Sequence, residues 1–479
     1  MTSFDLDEKT RLALGHQLVE IINKFYASLP DRPVQLPIQQ RSFAPLTNPL
    51  PETAENPATV LEEVSAALIA NGFHVPSASY FGLMNPAPTY IAVLAEALVA
   101  ALNPQLATQN RSQLAAKIED ETVRWIAELV GWKTPFGGTF TSGGNEANFS
   151  ALALALTEHF PGIVEDGVSS IGAQPVVYAS SESHHSLDKS AGLLGIGRKA
   201  LRRIPVTDQV QMDLTKLANA IAEDKTAGRR PFCVVATAGT TNSGAIDDMV
   251  AIADICCKHN LWLHVDGAYG AAAIFSRKHH RLLRGIELAD SITIDPHKWL
   301  AMPFAAGVVL TSHPELLESA FGTHTPYMPM ATNSTRVDNF KVSTQWSRRM
   351  NSLKLWLTLR VHGRQAYEEH IDRQLTLARW FVERTIAGNH FELAVPQVLP
   401  IINLRAKLPG TPSEEQIASV NAAIVEEVTH SGDRWISVTN VNGRSVIRIM
   451  VISYLTGEQH LEDLAVAMER AATNVLPNI

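Results

Sequence analysis

Short apolar runs rich in β-branched residues recur through the middle of the chain, each closed by a polar or turn-forming residue. Val176-Val-Tyr-Ala179, Ala200 to Ile204, Cys233 to Thr237, Leu261 to Val265, Ser291 to Ile294 and Gly307 to Leu310 read as buried strands. Between several of them, Leu214 to Glu223 and Asp248 to His259 place apolar residues three or four apart, the period of an amphipathic helix. That rhythm predicts an α/β architecture: a mostly parallel sheet with helices on both faces, and ligands at the carboxyl ends of its strands.

The flanks read differently. Glu8 to Leu29 has helical spacing (Leu14, Leu18, Ile21, Ile22, Phe25) and is followed by a proline-rich stretch to about Pro57. A helix with an extended arm holds too little core to stand alone, so it is expected to pack on something else, a partner subunit being the natural choice. Helical patterns follow over 59–70, 91–102 and 115–130. Beyond the alternating region, Phe321 to Met330 contains two prolines and runs into polar sequence to Lys341, a candidate lid. An amphipathic helix over 348–359 leads to a longer one over 365–387. The remainder alternates strands (391–395, 398–404, 445–452) with helices, a smaller α+β domain.

Four strand or loop ends carry chemistry. In Ile292-Thr-Ile-Asp-Pro-His-Lys-Trp299, Pro296 has no N–H for a ladder and turns the chain where Asp295, His297 and Lys298 stand. A lysine ending a buried strand is either snorkelling to water or, desolvated, a nucleophile toward an aldehyde. His264-Val-Asp-Gly-Ala-Tyr269 puts Asp266 at another strand end, as a buried carboxylate needing donors or as the cap of a following helix. His184 follows a third strand. Gly143-Gly-Asn145 precedes an alanine- and leucine-rich helix over 149–157; small residues there let backbone N–H groups close on an anion, or simply cap the helix. The lysine of a Walker loop is missing. Plain packing accounts for the rest: His264 as a satisfied strand histidine, His279 and His280 as a solvated pair, Cys256 and Cys257 mid-helix, Trp262 and Trp299 in the core.

Composition narrows the class. The chain has 479 residues, 46% hydrophobic, with a formal charge of −8. No basic face for nucleic acid is expected. Three cysteines make neither a disulfide framework nor a zinc site, and no metal is expected. Acidic residues near Met1 do not suit a signal peptide, and no run reaches the length of a membrane span, so the expected compartment is the cytosol.

An anion cradle, an imidazole, a carboxylate and an amine together match the needs of pyridoxal phosphate: a phosphate site, a ring partner, a ring-nitrogen partner and a Schiff-base lysine. Through Thr141-Ser-Gly-Gly-Asn-Glu-Ala-Asn148, His184 with Ser186, Ala236-Thr-Ala-Gly-Thr-Thr241, His264 to Tyr269, Asp295-Pro-His-Lys-Trp-Leu300 and Arg348 to Trp356, the chain resembles the group II pyridoxal-phosphate-dependent amino acid decarboxylases. The resemblance runs over nearly the whole chain. It implies a fold type I enzyme with a seven-stranded sheet, acting as a homodimer with active sites at the interface. It implies an N-terminal helical arm (1–80) on the partner subunit, a large cofactor-binding domain (81–365) and a small C-terminal domain (366–479). By resemblance, Lys298 holds the cofactor, Asp266 its ring nitrogen, and His184 and Ala268 its two faces. Gly143, Gly144, Asn145 and Thr241 serve the phosphate, His297 lies beside the Schiff base, and Tyr327 protonates the substrate's α-carbon. Aromatic members carry asparagine where Asp295 stands, against the phosphate; an aspartate there repels a dianion unless protonated or turned away. Leu83 and Met84 stand where the substrate pocket is shaped and suggest a hydrophobic or aromatic side chain. The expected reaction is decarboxylation of an L-amino acid to the amine. The alternatives are aldehyde synthase or aminotransferase chemistry, or a non-catalytic regulatory homologue.

Overall fold

The structure, a computed structural model, describes residues 4–36, 40–41, 49–133, 135–325 and 337–476. Helices α1 (Glu8–Ser28) and α2 (Pro57–Asn71) open the chain, their first N–H groups taken by the Asp7 and Asn56 side chains. Helices α3 (Tyr90–Leu102) and α4 (Gln113–Val130) lead to strand β1 (Gly137–Thr141) and helix α5 (Gly144–His159). After the short α6 (Ile163–Asp166) come β2 (Pro175–Ser180), α7 (Ser186–Leu193), β3 (Leu201–Ile204), α8 (Leu214–Thr226) and β4 (Arg230–Thr237). The alternation ends with α9 (Met249–His259), β5 (Trp262–Asp266), β6 (Ser291–Ile294) and β7 (Gly307–Thr311).

These strands form one seven-stranded sheet in the order β1-β7-β6-β5-β4-β2-β3. From β3 to β6 all neighbours are parallel, whereas β7 is antiparallel to both β6 and β1. Every residue of β2, β5, β6 and β7 is buried, as expected when helices cover both faces. Register puts Thr237, Asp266 and Thr293 side by side across β4, β5 and β6, at one edge of the sheet.

Helix α10 (Glu315–Phe321) precedes the long α11 (Ser352–Ile386). The two helices expected over 348–387 are both present within this span and meet at Gly363, whose non-helical φ of 74° lies in the left-handed region that favours glycine. The chain closes with β8 (Phe391–Leu393), β9 (Ile401–Ala406), α12 (Glu414–Thr429), β10 (Ser437–Val441), β11 (Arg444–Met450) and α13 (Glu458–Val475). These strands make an antiparallel sheet, β10-β11-β9-β8, with a core of its own that includes Phe381, Ile402, Ile447 and Leu464 and also takes in Phe81. No described helix is long and apolar enough to cross a membrane.

Strands β1 and β10 were not expected. Glycines open β1, and its ladder is made by β7 alone. In β10 only Val441 is buried, so half-exposed alternation hides it among loop residues.

Candidate active site

The parallel strands end along one edge, and the side chains just beyond them line a cavity of about 280 Å³. Lys298 enters it from the turn after β6. There Pro296 stops the ladder, Asp295 O accepts from Lys298 N–H at 2.9 Å, and Lys298 O accepts from Ala301 N–H at 3.1 Å. Asp266 enters from the last position of β5, and His184 from the turn after β2. The opposite wall is the first turn of α5, with Gly143, Gly144 and Asn145. Thr241, Ala268, Asp295 and His297 complete the set expected from the sequence. Tyr327 lies outside the described residues.

Each group has a definite electrostatic setting. Lys298 Nζ is 3.1 Å from Asp295 Oδ2, so the amine has a carboxylate beside it rather than an apolar box. The same oxygen is 3.5 Å from His297 Nε2, while Asp295 Oδ1, also buried, has no hydrogen-bond partner. Asp295 is thus turned to the lysine. His297 Nδ1 accepts from Ala306 N–H at 3.0 Å, and burial lowers the imidazole's pKa against the opposing pull of Asp295. His184 Nδ1 accepts from Ser186 N–H at 3.1 Å; burial, set against the nearby Asp266, lowers its pKa too. A neutral His184 therefore carries its hydrogen on Nε2. Asp266 Oδ1 accepts from Ala268 N–H at 3.2 Å, and Oδ2 accepts from Asn148 Nδ2 at 2.9 Å. No helix starts at Asp266, so the capping alternative does not apply.

The cradle is built for close approach. Gly143 caps α5 with no side-chain hydrogen bond, which leaves the first N–H groups to another acceptor. A Cβ at Gly143 would lie 2.9 Å from His297 Cε1, and one at Gly144 would lie 2.7 Å from Asp295 Oδ2. Glu146, one turn in, is engaged away from the cavity, accepting from Ser142 N–H at 2.7 Å and from Gln345 Nε2 at 2.8 Å. An uncapped helix start, an amine, a carboxylate at a strand end and an imidazole around one cavity fit pyridoxal phosphate group for group.

Some expectations need correction. Met84 lines the cavity, but Leu83 does not and is 45% exposed. His279 is not solvated; it is 6% exposed, with Nε2 3.7 Å from Asp372 Oδ1. His264 is the satisfied strand histidine expected of it, with ring nitrogens 2.9 Å from Ser291 Oγ and 3.0 Å from Asn148 Oδ1. Asn148 itself was not singled out. Inside an Ala- and Leu-rich helix, only the tertiary fold brings its amide to Asp266.

Comparison with known proteins points the same way. Residues 37–407 match the model of the pyridoxal-dependent decarboxylase conserved domain. An aromatic-L-amino-acid decarboxylase of Bacillus atrophaeus is 31% identical over 465 residues, covering 96% of this chain and 95% of that protein. The acidic amino acid decarboxylase GADL1 of Bos taurus is 31% identical over 396 residues, 80% of this chain and 76% of that one. Among solved structures, Oryza sativa TDC with PLP and tryptamine superposes with a TM-score of 0.93 at 25% identity, over 99% of this chain and 100% of that chain.

Proposed function

The chain belongs to the pyridoxal-dependent decarboxylase family, with the fold type I architecture and pyridoxal phosphate as its cofactor, and we propose that it converts an L-amino acid with a hydrophobic or aromatic side chain to the amine and carbon dioxide. The observation that carries this reading is the convergence of Lys298, Asp266, His184 and the uncapped start of α5 on one cavity. Two features favour an apolar substrate. Met84 is part of the wall, and Lys298 is the single lysine or arginine among the described lining residues, already paired with Asp295. An acidic side chain would find no free cation among those residues to offset its charge. The name of the Bacillus relative agrees.

The cofactor would supply an aldehyde for amines and a protonated ring able to take up the electron pair left on the α-carbon when carbon dioxide departs. In our reading Lys298 Nζ anchors it, and Asp295 is the counter-ion of that amine rather than a phosphate ligand. Asp266 holds the proton of the ring nitrogen, since a carboxylate beside a base favours its charged form. His184, neutral and with its hydrogen on Nε2, would cover one face of the ring, and Ala268 the other. The N–H groups of Gly143, Gly144 and Asn145, with Thr241, hold the phosphate. Enclosure by Met84 and Tyr269 keeps water from the α-carbon. Tyr327 delivers the proton that turns the decarboxylated carbon into an amine carbon. The enzyme works as a homodimer in the cytosol, with residues 1–80 as an arm on the partner, 81–365 as the cofactor domain and 366–479 as the small domain.

The test is a panel of aromatic, acidic and diamino L-amino acids, scored for carbon dioxide and for amine. Turnover confined to acidic substrates would overturn the substrate class; no release from any would overturn the activity. Tyr327→Phe is expected to cut amine yield at least tenfold and to divert product to aldehyde, with oxygen consumed and ammonia and peroxide formed. Unchanged amine with no peroxide would remove Tyr327 from its role.

A further inference from the structure

Behind Asp266 lies a series of buried hydrogen bonds that none of the roles above uses. Asn148, on α5 and 1% exposed, sits at its centre. Its Nδ2 donates to Asp266 Oδ2 at 2.9 Å and to Ser186 Oγ at 3.0 Å. Its Oδ1 accepts from Thr293 Oγ1 at 2.7 Å and lies 3.0 Å from His264 Nε2. All four hydrogen-bonding positions of the amide are therefore engaged. A carboxylate oxygen only accepts, so the Asp266 contact fixes which end of the amide is nitrogen. The oxygen then meets His264 Nε2, which must carry the ring hydrogen. Nδ1 of His264 is left as the acceptor: Ser291 Oγ, 2.9 Å away, donates to it and in turn accepts from Trp262 Nε1 at 2.8 Å, and the Ser291 carbonyl oxygen, farther off at 3.2 Å, receives no hydrogen from the ring in this arrangement. Burial lowers the His264 pKa against the raising pull of Asp266, which keeps the ring neutral at ordinary pH. Every bond from Trp262 through Ser291, His264 and Asn148 to Asp266 thus runs in one sense, donor to acceptor, and ends on the carboxylate. Aligned bonds polarise one another in a low-dielectric interior.

We propose that Asn148 is a positioning residue of the reaction: its amide, polarised by His264 and Thr293, fixes the Asp266 carboxylate in the orientation that the cofactor's ring nitrogen requires. The inference rests on the reading that Asp266 faces that nitrogen. It accounts for a fully engaged amide buried between its own helix, the start of α7 and the strands β5 and β6, where a leucine would leave the Asp266 carboxylate without this donor.

The experiment is a double-mutant cycle on cofactor affinity. Dissociation constants for pyridoxal 5'-phosphate are measured by fluorescence for the wild-type chain, Asn148→Leu, Asp266→Ala and the double variant. Asn148→Leu is expected to weaken binding roughly tenfold to a hundredfold, the range of a hydrogen bond to a charged group, and to move the pH dependence of the bound cofactor's visible absorption. In the Asp266→Ala background the same substitution is expected to change the constant less than about threefold. Equal losses in both backgrounds overturn the proposal, because a purely structural asparagine would be additive. Wild-type affinity in Asp266→Ala overturns the reading of Asp266, and the proposal with it. Impaired Asp266→Ala beside a wild-type Asn148→Leu overturns the proposal alone. If circular dichroism shows Asn148→Leu unfolded, Thr293→Val takes its place in the cycle with the same criteria. Independently, nitrogen-15 shifts of His264 in the wild-type protein must show Nε2 protonated and Nδ1 bare, and the opposite tautomer overturns the proposal.

Discussion

At the scale of single residues, the site depends on what is missing as much as on what is present. Gly144 leaves a gap against Asp295 Oδ2 and Ala268 Cβ, which an added methyl would approach to 2.7 and 3.2 Å. Asp295 cannot retreat without leaving Lys298 Nζ, so Gly144→Ala must push the first turn of α5 out of place. Overpacking of this kind costs about 1–3 kcal/mol of stability, and the expected result is a cofactor dissociation constant raised roughly tenfold or more together with a lowered melting temperature. Titration of the apoprotein with pyridoxal phosphate checks it; wild-type affinity in the alanine variant would remove Gly144 from the cradle. The residues that matter here differ in how visible they are in the sequence. Lys298, Asp266 and His184 stand just past apolar runs that end abruptly, so a strand end with odd chemistry marks each. The ion pair of Asp295 with Lys298, three residues on, depends on the turn made by Pro296 and on rotamers that spacing does not fix. Asn148 has no local signal, because its partners come from β5, β6 and α7.

At the scale of elements, α11 shows how a remote helix steadies the reactive turn. Tyr367 OH donates to Leu300 O at 3.1 Å, His370 Nε2 donates to Trp299 O at 3.3 Å, and Gln374 Oε1 accepts from Trp299 Nε1. These three side chains are three and four residues apart, hence on one face of the helix, and they grip the two residues after Lys298. His370 makes this grip sensitive to acid. Burial lowers its folded pKa to about 4 from an ordinary 6.5. Between those values the unfolded chain binds the proton and the folded chain does not, so stability falls as pH drops from about 6.5 to about 4. The gap corresponds to at most about 3 kcal/mol, and less where water reaches the partly exposed ring. His370→Gln keeps an N–H for the Trp299 carbonyl but does not titrate. Its melting temperature is therefore expected to fall less steeply than that of the wild type over this window, and parallel curves would show that His370 does not carry the effect. Elements with a strong period are those that the sequence predicts well, α3, α4, β5 and β6 among them. Strand β1 escapes because its reasons are tertiary: Glu119 of α4 accepts from Phe140 N–H at 3.4 Å and pairs with buried Arg348, which also donates to Thr139 Oγ1 at 2.9 Å.

At the scale of the whole molecule, the sequence shows most of the strands but neither β1 nor the strand order, since β1 joins the sheet beyond β7 across more than 150 residues of chain. It also predicts an N-terminal helix that needs a neighbour, and the structure sharpens that need. None of the 21 residues of α1 is buried. Leu12, Leu18 and Val19 are 57, 42 and 45% exposed, and Leu94, Leu98 and Leu102 of α3 are exposed as well. A 21-residue helix is about 31 Å long, and helices in water owe most of their stability to a packed apolar face. Isolated exposed leucines are ordinary, but a helix with no buried side chain next to a second apolar face is the pattern of surface awaiting a partner. If that partner is a second copy, as we propose, the wild-type chain should sediment at micromolar concentration with twice the 52.3 kDa mass of one chain. Leu12→Glu with Leu18→Glu should then shift the equilibrium toward monomer and reduce activity in parallel, because an active site at the interface is complete only in the dimer. Circular dichroism separates this from misfolding, since neither leucine contributes to the core of its own chain. A double variant that stays dimeric and fully active would show that α1 is not the arm that joins the subunits.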